Sequence, residues 1–498
     1  MTAYRIPPGV RADSLKTRPV LTTGSGGRLK VDRRLLQLWG SANDRELEEI
    51  LSGYRADPAS SLEIRAALAC LAEAGLLVRD LEEPASEKLD TVRGQLVSAV
   101  IVGYNSREWL GACLGSIQCQ NYAPIEVVLV DNASTDGTSP WIEENYPDIH
   151  LICLDSPVSL AEAINTGVRS AKGSYYLVLN PDVQLAPDAT TRMVAVAEQG
   201  PNCGAVAAKL RFSWAPAFLN GIGNFVGAIS WGTDIGLGHL DLGQFDGWDE
   251  LPSACFAGAL IPKRAWEEVG EVDTAFSLYY EDSEWSYRAR MLGWRVSAAP
   301  EAVIYHAFSG RIPSGADRGL SAQKLRQVVY GRLRFASKLL AGPARHRYIA
   351  GYGIEDLLTI TGALLTGRWR NAGAVLGGWR EYLKNLPALR LERMRLRSRS
   401  VDSHRESLQT KENLPVPLIW HGLPLLTWDL IRHNYLPLIV TGKTNPLPEF
   451  SGFPAEQLYF LDRKVGGNLE RAKGIWQEEG FDALLHRVWK YTQRRLQV

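Results

Sequence analysis

The stretch Tyr175-Tyr-Leu-Val-Leu-Asn-Pro-Asp-Val-Gln-Leu185 passes from an apolar run directly into Asn180-Pro-Asp182. A short continuous apolar run is typical of a strand that is buried on both faces. A carboxylate at the end of such a strand is costly to remove from water unless it has a partner. Asp182 therefore belongs either to an ordinary turn after the strand or to a site that binds a metal ion.

Strands and helices alternate on the N-terminal side of this stretch. Residues 97–103 and 125–131 are apolar runs, residues 149–153 form a third strand pattern, and helical patterns at 107–118 and 159–171 lie between them. This alternation predicts an α/β fold with an open, mostly parallel sheet. Ligands of such sheets bind beyond the carboxyl ends of the strands. The polar residues expected in that crevice are Gly103, Tyr104, Asn105, Asp131, Asn132, Asn180 and Asp182.

Length, charge and cysteine content bound the class of protein. The 498 residues suffice for two to four domains, and the formal net charge is zero. The six cysteines contain no CxxC pair and no signal peptide is evident, so we expect free thiols in the cytoplasm. No apolar run reaches the ~18 residues of a membrane span. Neither GxGxxG nor GxxxxGK[ST] follows the first strand, which disfavours dinucleotide and P-loop sites.

Several short motifs follow one another in a fixed order. They are Val97-Ser-Ala-Val-Ile-Val-Gly-Tyr-Asn-Ser106, Val128-Leu-Val-Asp-Asn-Ala-Ser-Thr-Asp-Gly137, Asn165-Thr-Gly167, Leu179-Asn-Pro-Asp182, Cys255-Phe-Ala-Gly-Ala-Leu-Ile-Pro-Lys263, Tyr280-Glu-Asp-Ser-Glu-Trp-Ser-Tyr-Arg288 and Ile304-Tyr-His306. In order and spacing this set resembles the family 2 glycosyltransferases with a GT-A fold, and most closely their bacterial rhamnosyltransferase-like branch. The resemblance implies a catalytic domain at residues 95–312 that uses a nucleoside-diphosphate sugar.

The resemblance also implies a metal site. Asn180-Pro-Asp182 stands where the family often has an Asp-x-Asp motif, so Asp182 would hold Mg²⁺ or Mn²⁺ together with the donor diphosphate, with Asn180 as a neutral helper. His306 is the second candidate ligand, and a histidine would favour Mn²⁺. The alternative is that His306 is a structural residue.

Donor-binding residues are implied by the first motifs. Tyr104 and Asn105 would flank the base and ribose, beside Gly103 and Asn132 at the strand ends, and Asp131 would recognise the pyrimidine. The alternative for Asp131 is a turn acceptor for the backbone at residues 134–135. Asn165 matches a family position near the donor, but it is equally compatible with an ordinary helix residue.

The later motifs imply a general base. Asp282, in the pair Glu281-Asp282, would deprotonate the acceptor hydroxyl as it attacks opposite the nucleotide, which inverts the anomeric centre. The alternative is that these acids only stabilise a helix N-terminus. Trp285 could stack on an acceptor sugar or simply pack. The same choice applies to Trp214, Trp231 and Trp248 in a glycine-rich stretch.

Two further regions flank the catalytic domain. Residues 1–90, which end in a polar linker, contain a glycine-turn hairpin at 18–31 and three short helical patterns, the last at 62–75, and resemble a winged helix or a PqqD-like peptide-recognition module. Their thirteen basic and fourteen acidic residues give no attraction for phosphate, so we expect no nucleic acid partner and favour a docking role. Residues 401–498 match no pattern that we recognise.

Residues 313–400 form a basic, amphipathic helical region. Between Arg318 and Arg399 there are seventeen Lys and Arg against four Asp and Glu, a net charge of +13 in a chain of zero net charge. Such helices are typical of proteins that bind an anionic membrane surface. The alternative is a solvated helical face packed on the catalytic domain.

The sequence as a whole predicts a metal-dependent, inverting glycosyltransferase. We expect rhamnose as the favoured sugar, a glycan or lipid-linked acceptor of cell-surface polysaccharide synthesis, and a cytoplasmic location at the inner face of the membrane. One alternative is a peptide glycosyltransferase whose N-terminal module binds the peptide. A second is a catalytically inactive scaffold that binds glycans or membranes. Homo-oligomerisation stays open.

Overall fold

The structure is a computed structural model. The chain forms two compact units, one up to Pro84 and a larger one that begins at Ala85. It describes residues 2–15, 18–22, 28–30, 33–53, 64, 68, 71–72, 76–81, 90–213, 215–226, 233–237, 241, 245–277, 279–308, 321–365 and 367–401. The predicted C-terminal extension beyond Val401, Trp214, Trp231 and most of the predicted helix at 62–75 lie outside the described residues.

The described residues of the N-terminal unit include two small antiparallel sheets and two short helices. Its elements are β1 (Thr2–Arg5), β2 (Arg11–Leu15), β3 (Arg18–Thr22), β4 (Arg28–Lys30), α1 (Arg33–Ser41), β5 (Arg45–Glu46), α2 (Leu47–Gly53) and β6 (Val78–Leu81). The sheet orders are β5-β1-β6 and β2-β3-β4. Strands β3 and β4 pair as the glycine-turn hairpin pattern predicts. The winged-helix or PqqD-like assignment stays a prediction.

In its described residues, the larger unit begins with alternating strands and helices, and its last three elements are helices. Its elements are β7 (Val92–Gly103), α3 (Arg107–Gln118), β8 (Tyr122–Asp131), α4 (Thr138–Asn145), β9 (His150–Cys153), α5 (Leu160–Ser170), β10 (Tyr175–Leu179), β11 (Val183–Leu185), α6 (Ala189–Glu198), β12 (Cys203–Phe212), β13 (Ala215–Gly221), β14 (Asn224–Phe225), β15 (Thr233–Asp234), β16 (Gly258–Pro262), α7 (Lys263–Val269), α8 (Glu281–Met291), β17 (Arg295–His306), α9 (Ala322–Leu339), α10 (Gly342–Leu365) and α11 (Trp369–Arg399).

Within the described residues, nine strands of this unit form one sheet. The order is β11-β17-β12-β16-β10-β7-β8-β9, with β13 paired to β12. Strands β9, β8, β7 and β10 run parallel to one another, whereas β16 and β11 are antiparallel to their neighbours. The predicted α/β fold class is confirmed, and the parallel half of the sheet is the part that the alternating pattern covers.

Strand β10 shows why an unbroken apolar run is needed at the centre of the sheet. All five of its residues are buried. Tyr176 and Val178 belong to one hydrophobic cluster, and Leu177 and Leu179 to another. Successive side chains of a strand point to opposite faces, so a strand covered by helices on both sides must be apolar at every position.

The predicted helical C-terminal region is confirmed, and it has a core of its own. Leu333, Tyr352, Val375 and Tyr382 are among the buried residues that α9, α10 and α11 contribute to one cluster. None of the described helices is both long enough and apolar enough to cross a membrane.

Candidate active site

The polar strand ends lie side by side at one edge of the sheet. Gly103, the last residue of β7, is the register partner of Asp131 at the end of β8. Leu179, the last residue of β10, is paired with Ile101 of β7, so Asn180 follows β10 at the same edge of the sheet as Gly103 and Asp131. This juxtaposition follows from the parallel register, and it is the arrangement that the alternating sequence pattern predicts.

Asp131 and Asn105 join the two loops that follow β7 and β8. Asp131 is 3% exposed, and its carboxylate accepts hydrogen bonds from the Ser134 N–H at 3.1 Å and from the Ser139 hydroxyl. Asn105 has a positive φ of 50°, and its side-chain oxygen accepts from the Thr135 N–H at 2.8 Å. Asp131 thus serves as the turn acceptor, and its contact with a pyrimidine stays a prediction.

Tyr104 is exposed at this edge, whereas Gly103 before it is buried. Tyr104 is 55% exposed. A Cβ on Gly103 would meet only Ser106 and Leu129 at ordinary contact distances of 3.8 to 3.9 Å. Packing within the chain therefore leaves room for a side chain at this position.

Two asparagines that were predicted to bind the donor form hydrogen bonds with backbone groups of the chain. The Asn165 side chain is completely buried in α5, where it donates to the Val272 carbonyl and accepts from the Val272 N–H, both at 2.9 Å. The prediction that Asn165 contacts the donor is therefore wrong. Asn132 makes the corresponding pair of bonds to Val158, at 3.1 and 2.9 Å, and is 8% exposed. Its amide fixes the loop that leads into α5.

His306 and Asp182 form the centre of the site. Val183 of β11 is the register partner of His306 at the end of β17, which brings the two candidate metal ligands together. The His306 Nε2 lies 3.1 Å from the Asp182 Oδ1 and 3.3 Å from the Asn180 Nδ2. His306 Nδ1 lies 2.6 Å from the Oδ1 of Asn220.

Asn220 determines which nitrogen of His306 carries hydrogen. Its Nδ2 donates to the Asp234 carboxylate at 3.0 Å, so its Oδ1 must accept from the histidine. Nδ1 therefore carries a hydrogen, and Nε2, when it carries none, directs a lone pair at the Asp182 carboxylate. Two acceptors at this distance need a proton or a cation between them. A histidine oriented in this way is typical of metal ligands.

The predicted catalytic acids open helix α8. Glu281 is 6% exposed, and burial together with the neighbouring Asp282 carboxylate raises the pKa of Glu281 to about 8. Burial also raises the pKa of Asp282, which is partly exposed and accepts a hydrogen bond from the Asn224 Nδ2 at 2.8 Å. The two residues before the helix, Tyr279 and Tyr280, both have left-handed φ angles of 67° and 69°. Such backbone strain is often concentrated at active sites.

A two-stranded ribbon connects the metal pair with the acids. Asn224 of β14 and Asp234 of β15 are register partners. Asn224 binds Asp282, whereas Asp234 binds Asn220 and through it His306. Burial, followed by the charge of Asp282, raises the pKa of Asp234 to about 7. Asn220, Asn224 and Asp234 are not predictable as site residues from sequence, since their only signal is their polar character within a glycine-rich stretch.

Trp285 does not face an acceptor. Its side chain is completely buried and stacks on Trp266 with ring centroids 5.7 Å apart, and its Nε1 donates to the Gly270 carbonyl at 2.8 Å. The predicted acceptor contact is therefore wrong, and the packing alternative holds. Trp248 is partly buried and packs edge-on against Phe245.

An α/β sheet with a carboxylate–histidine pair and buried acids beyond the carboxyl ends of its strands is the arrangement expected of a GT-A fold. Residues 98–269 match the family described as Glycosyl transferase family 2. The match identifies this part of the chain as a glycosyltransferase domain.

Named relatives are similar to this chain over part of its length. The N-acetylglucosaminyl-diphospho-decaprenol L-rhamnosyltransferase of Mycobacterium tuberculosis is 24% identical over 237 residues, 42% of this chain and 76% of the relative. The O-antigen biosynthesis protein RfbC of Myxococcus xanthus is 27% identical over 234 residues, 44% of this chain and 18% of the relative. The mannosyltransferase PcManGT of Pyrobaculum calidifontis, solved with GDP-Man and Mn²⁺, aligns at a TM-score of 0.38 and 19% identity, covering 65% of this chain and 99% of its own.

Proposed function

We propose that this glycosyltransferase moves a sugar, with inversion, from a nucleoside-diphosphate sugar to a glycan or lipid-linked acceptor of a cell-surface polysaccharide, in a metal-dependent reaction. The observation that carries the proposal is the hydrogen-bonded chain from Asp182 through His306 and Asn220 to Asp234, whose ribbon partner Asn224 holds Asp282. It brings candidate metal ligands and a candidate base to one place.

The donor set fits a divalent cation that is shared with the substrate. Asp182 and His306 would hold it, and among the described residues no cluster of three or more His, Cys, Asp or Glu side chains could hold a metal by itself. Two protein ligands suit a cation that takes its other ligands from a diphosphate and water, and the imidazole favours Mn²⁺ over Mg²⁺. When bound, the cation would supply positive charge for the departing diphosphate.

Asp282 is the residue that we assign as general base. It is partly exposed, its carboxylate is held by Asn224, and burial has moved its pKa upward, towards the range in which a carboxylate is an effective base. The acceptor hydroxyl would give its proton to Asp282 while its oxygen bonds to the anomeric carbon. The bond from that carbon to the diphosphate would break on the opposite side.

The mycobacterial relative supports the choice of substrates. Its name specifies rhamnose transfer to a sugar-diphosphate polyprenol, and the similarity spans three quarters of its length. We propose dTDP-rhamnose as the donor and a lipid-linked glycan as the acceptor, and hence work at the inner face of the membrane.

A donor screen with the full-length protein tests this proposal. We expect a nucleoside-diphosphate sugar, dTDP-rhamnose first, to raise the melting temperature and to be slowly hydrolysed only when Mn²⁺ or Mg²⁺ is present. Asp282→Asn should still bind the donor but lose about 10²-fold or more of the transfer rate. Asp182→Ala should lose metal-dependent binding, and Asp148→Asn, on an exposed loop, serves as the matched control.

Two results would contradict the proposal. One is the absence of binding by any nucleoside-diphosphate sugar in the presence of metal. The other is an Asp182→Ala variant that binds and turns over like the wild type. Transfer to a peptide instead of a glycan would favour the alternative acceptor, and it should then require residues 1–90.

A further inference from the structure

The acidic residues of helices α10 and α11 all take part in ion pairs that face other helices. Between Gly342 and Arg399 the chain has only four of them. The pairs are Glu355 and Asp356 with Arg332, Glu381 with Arg326, and Glu392 with Arg334. All three arginine partners belong to α9. Helix packing buries Glu355 and Asp356, whereas Glu381 and Glu392 stay partly exposed but have their charges paired.

Helix α11 has two apolar sides. Val375, Tyr382, Leu389 and Leu396 are buried against the rest of the unit. On the opposite side an apolar stripe is 53 to 68% exposed, and its members are Trp369, Leu376, Leu383, Leu391 and Met394. Their spacings of seven, seven, eight and three residues place them on one side of a helix with 3.6 residues per turn.

The basic residues beside this apolar stripe have no acidic partner in the described part of the chain. Six exposed ones lie on and just before α11, namely Arg368, Arg370, Arg380, Lys384, Arg390 and Arg395, while a seventh, Arg399, donates to the Glu268 carbonyl. Helix α10 adds further exposed apolar residues at helical spacing, namely Ile354, Leu357, Leu358 and Leu364. The outer side of the helical region therefore combines exposed apolar side chains with charge of a single sign.

We propose that the outer side of α11 docks on an anionic lipid surface, with the apolar stripe in the acyl boundary and the six basic residues at the headgroups. A helix with one apolar side and a basic border is suited to that position, since basic residues are attracted by anionic lipid. Docking there would bring the enzyme to the membrane that carries its proposed lipid-linked acceptor. Only this link to the acceptor rests on the proposed function.

Charge argues against two other ways to cover the apolar stripe, namely a second copy of the chain and the chain's own C-terminal residues. A second copy that docks through the same side would bring six basic residues against six, because a two-fold interface is self-complementary. The chain's own residues 402–498 carry twelve Lys and Arg against eleven Asp and Glu, so they offer no net negative charge. A membrane rich in anionic lipid supplies both an apolar phase and the opposite charge.

Vesicle sedimentation with the full-length protein tests the inference. We expect binding to phosphatidylcholine vesicles that contain phosphatidylglycerol, little binding to pure phosphatidylcholine, and weaker binding at high salt. Leu376→Ser with Leu383→Ser should lower the partition coefficient at least about tenfold. Ala388→Ser, exposed on the same helix but away from the stripe, is the matched control and should leave it unchanged. A lipid-induced blue shift of tryptophan fluorescence should diminish in Trp369→Phe.

Every other outcome overturns the inference. Equal binding to both kinds of vesicle, or binding that the serine pair leaves unchanged, excludes this surface. If vesicles are not bound and the serine pair dissociates an oligomer in light scattering, the occupant is a second copy. If vesicles are not bound and the serine pair only lowers the melting temperature, the chain itself covers the stripe. Donor hydrolysis is measured without vesicles, so failure of the proposed function is a separate result.

Discussion

Asn220 acts on the candidate metal site without touching the metal. It is 1% exposed, and its amide is fixed at both ends, by Asp234 on one side and by His306 on the other. Removing it would free the imidazole to place its hydrogen on Nε2, where it would face Asp182 as a donor and no longer as a ligand.

Asn220→Leu should therefore weaken Mn²⁺ binding in the presence of nucleoside diphosphate by about 10- to 100-fold. Electron paramagnetic resonance titration of free Mn²⁺ measures this without any turnover. Asn145→Leu, on an exposed helix end, is the control. Unchanged Mn²⁺ affinity in Asn220→Leu would mean that the asparagine only packs.

Glu281 should make stability depend on pH in a direction opposite to that of a surface carboxylate. Its pKa is raised from 4.5 to about 8 in the folded chain, so the folded state binds more protons than the unfolded state between these values. Its contribution to stability is then complete below pH 4.5 and is lost as the pH rises through about 8.

Glu281→Gln should remove this loss. We expect the variant to melt about 5 °C above the wild type at pH 9 and close to it at pH 4. Thermal melts across this range measure the difference, with Glu301→Gln as an exposed control. A constant difference at all pH values would show that the carboxyl is not buried in the folded protein.

At the scale of elements, helix α9 packs on helix α8, which carries the candidate base. Lys338 of α9 lies 2.9 Å from the Glu284 carboxylate in α8 and 2.6 Å from Asp273 in the preceding loop. Gly331 lets α9 approach the strained turn, because a Cβ there would lie 2.9 Å from the ring of Tyr280. The orientation of the candidate base thus depends on a helix outside the α/β sheet.

Lys338→Met should leave two buried carboxylates with less compensating charge. We expect a loss of about 2 to 4 kcal/mol in stability and a lower kcat with little change in the donor KM. Lys324→Met, in the exposed first turn of the same helix, should be neutral. Equal stability of both variants in thermal melts would contradict this role of α9.

The elements that the sequence predicts well are those whose pattern is local. The predicted helix at 107–118 coincides with α3, and the one at 159–171 differs from α5 by one residue at each end. Strand β7 begins at Val92, before the predicted residue 97, because its polar start is held only by pairing with Tyr122 and Ala123 of β8. Such pairing leaves no hydropathy signal.

The errors at the site have a similar cause. The motifs predict which residue types lie near the strand ends. They do not predict the direction of the Asn165 and Trp285 side chains, because that direction depends on contacts with Val272 and Trp266. Asn220 and Asp234 could not be found because their roles depend on the pairing of short strands across a glycine-rich stretch. Local sequence carries little information on either.

At the scale of the whole molecule, zero net charge conceals a separation of charge along the chain. The residues from Arg318 to Arg399 carry +13 and the remainder −13. The acidic residues of α11, Glu381 and Glu392, are paired with Arg326 and Arg334, so unpaired charge on the exposed part of α11 is mainly positive.

A protein of this kind has a large electric dipole although it has almost no net charge, and chromatography senses the dipole. Near its isoelectric point, at about pH 7.1, it should be retained by a cation exchanger that ignores an evenly charged neutral protein. Arg380→Gln with Lys384→Gln should elute at lower salt than Arg93→Gln with Arg295→Gln, which removes equal charge elsewhere. Identical elution of the two double variants would mean that the resin contacts another surface. The elution salt therefore reports which surface the molecule turns towards a negatively charged support.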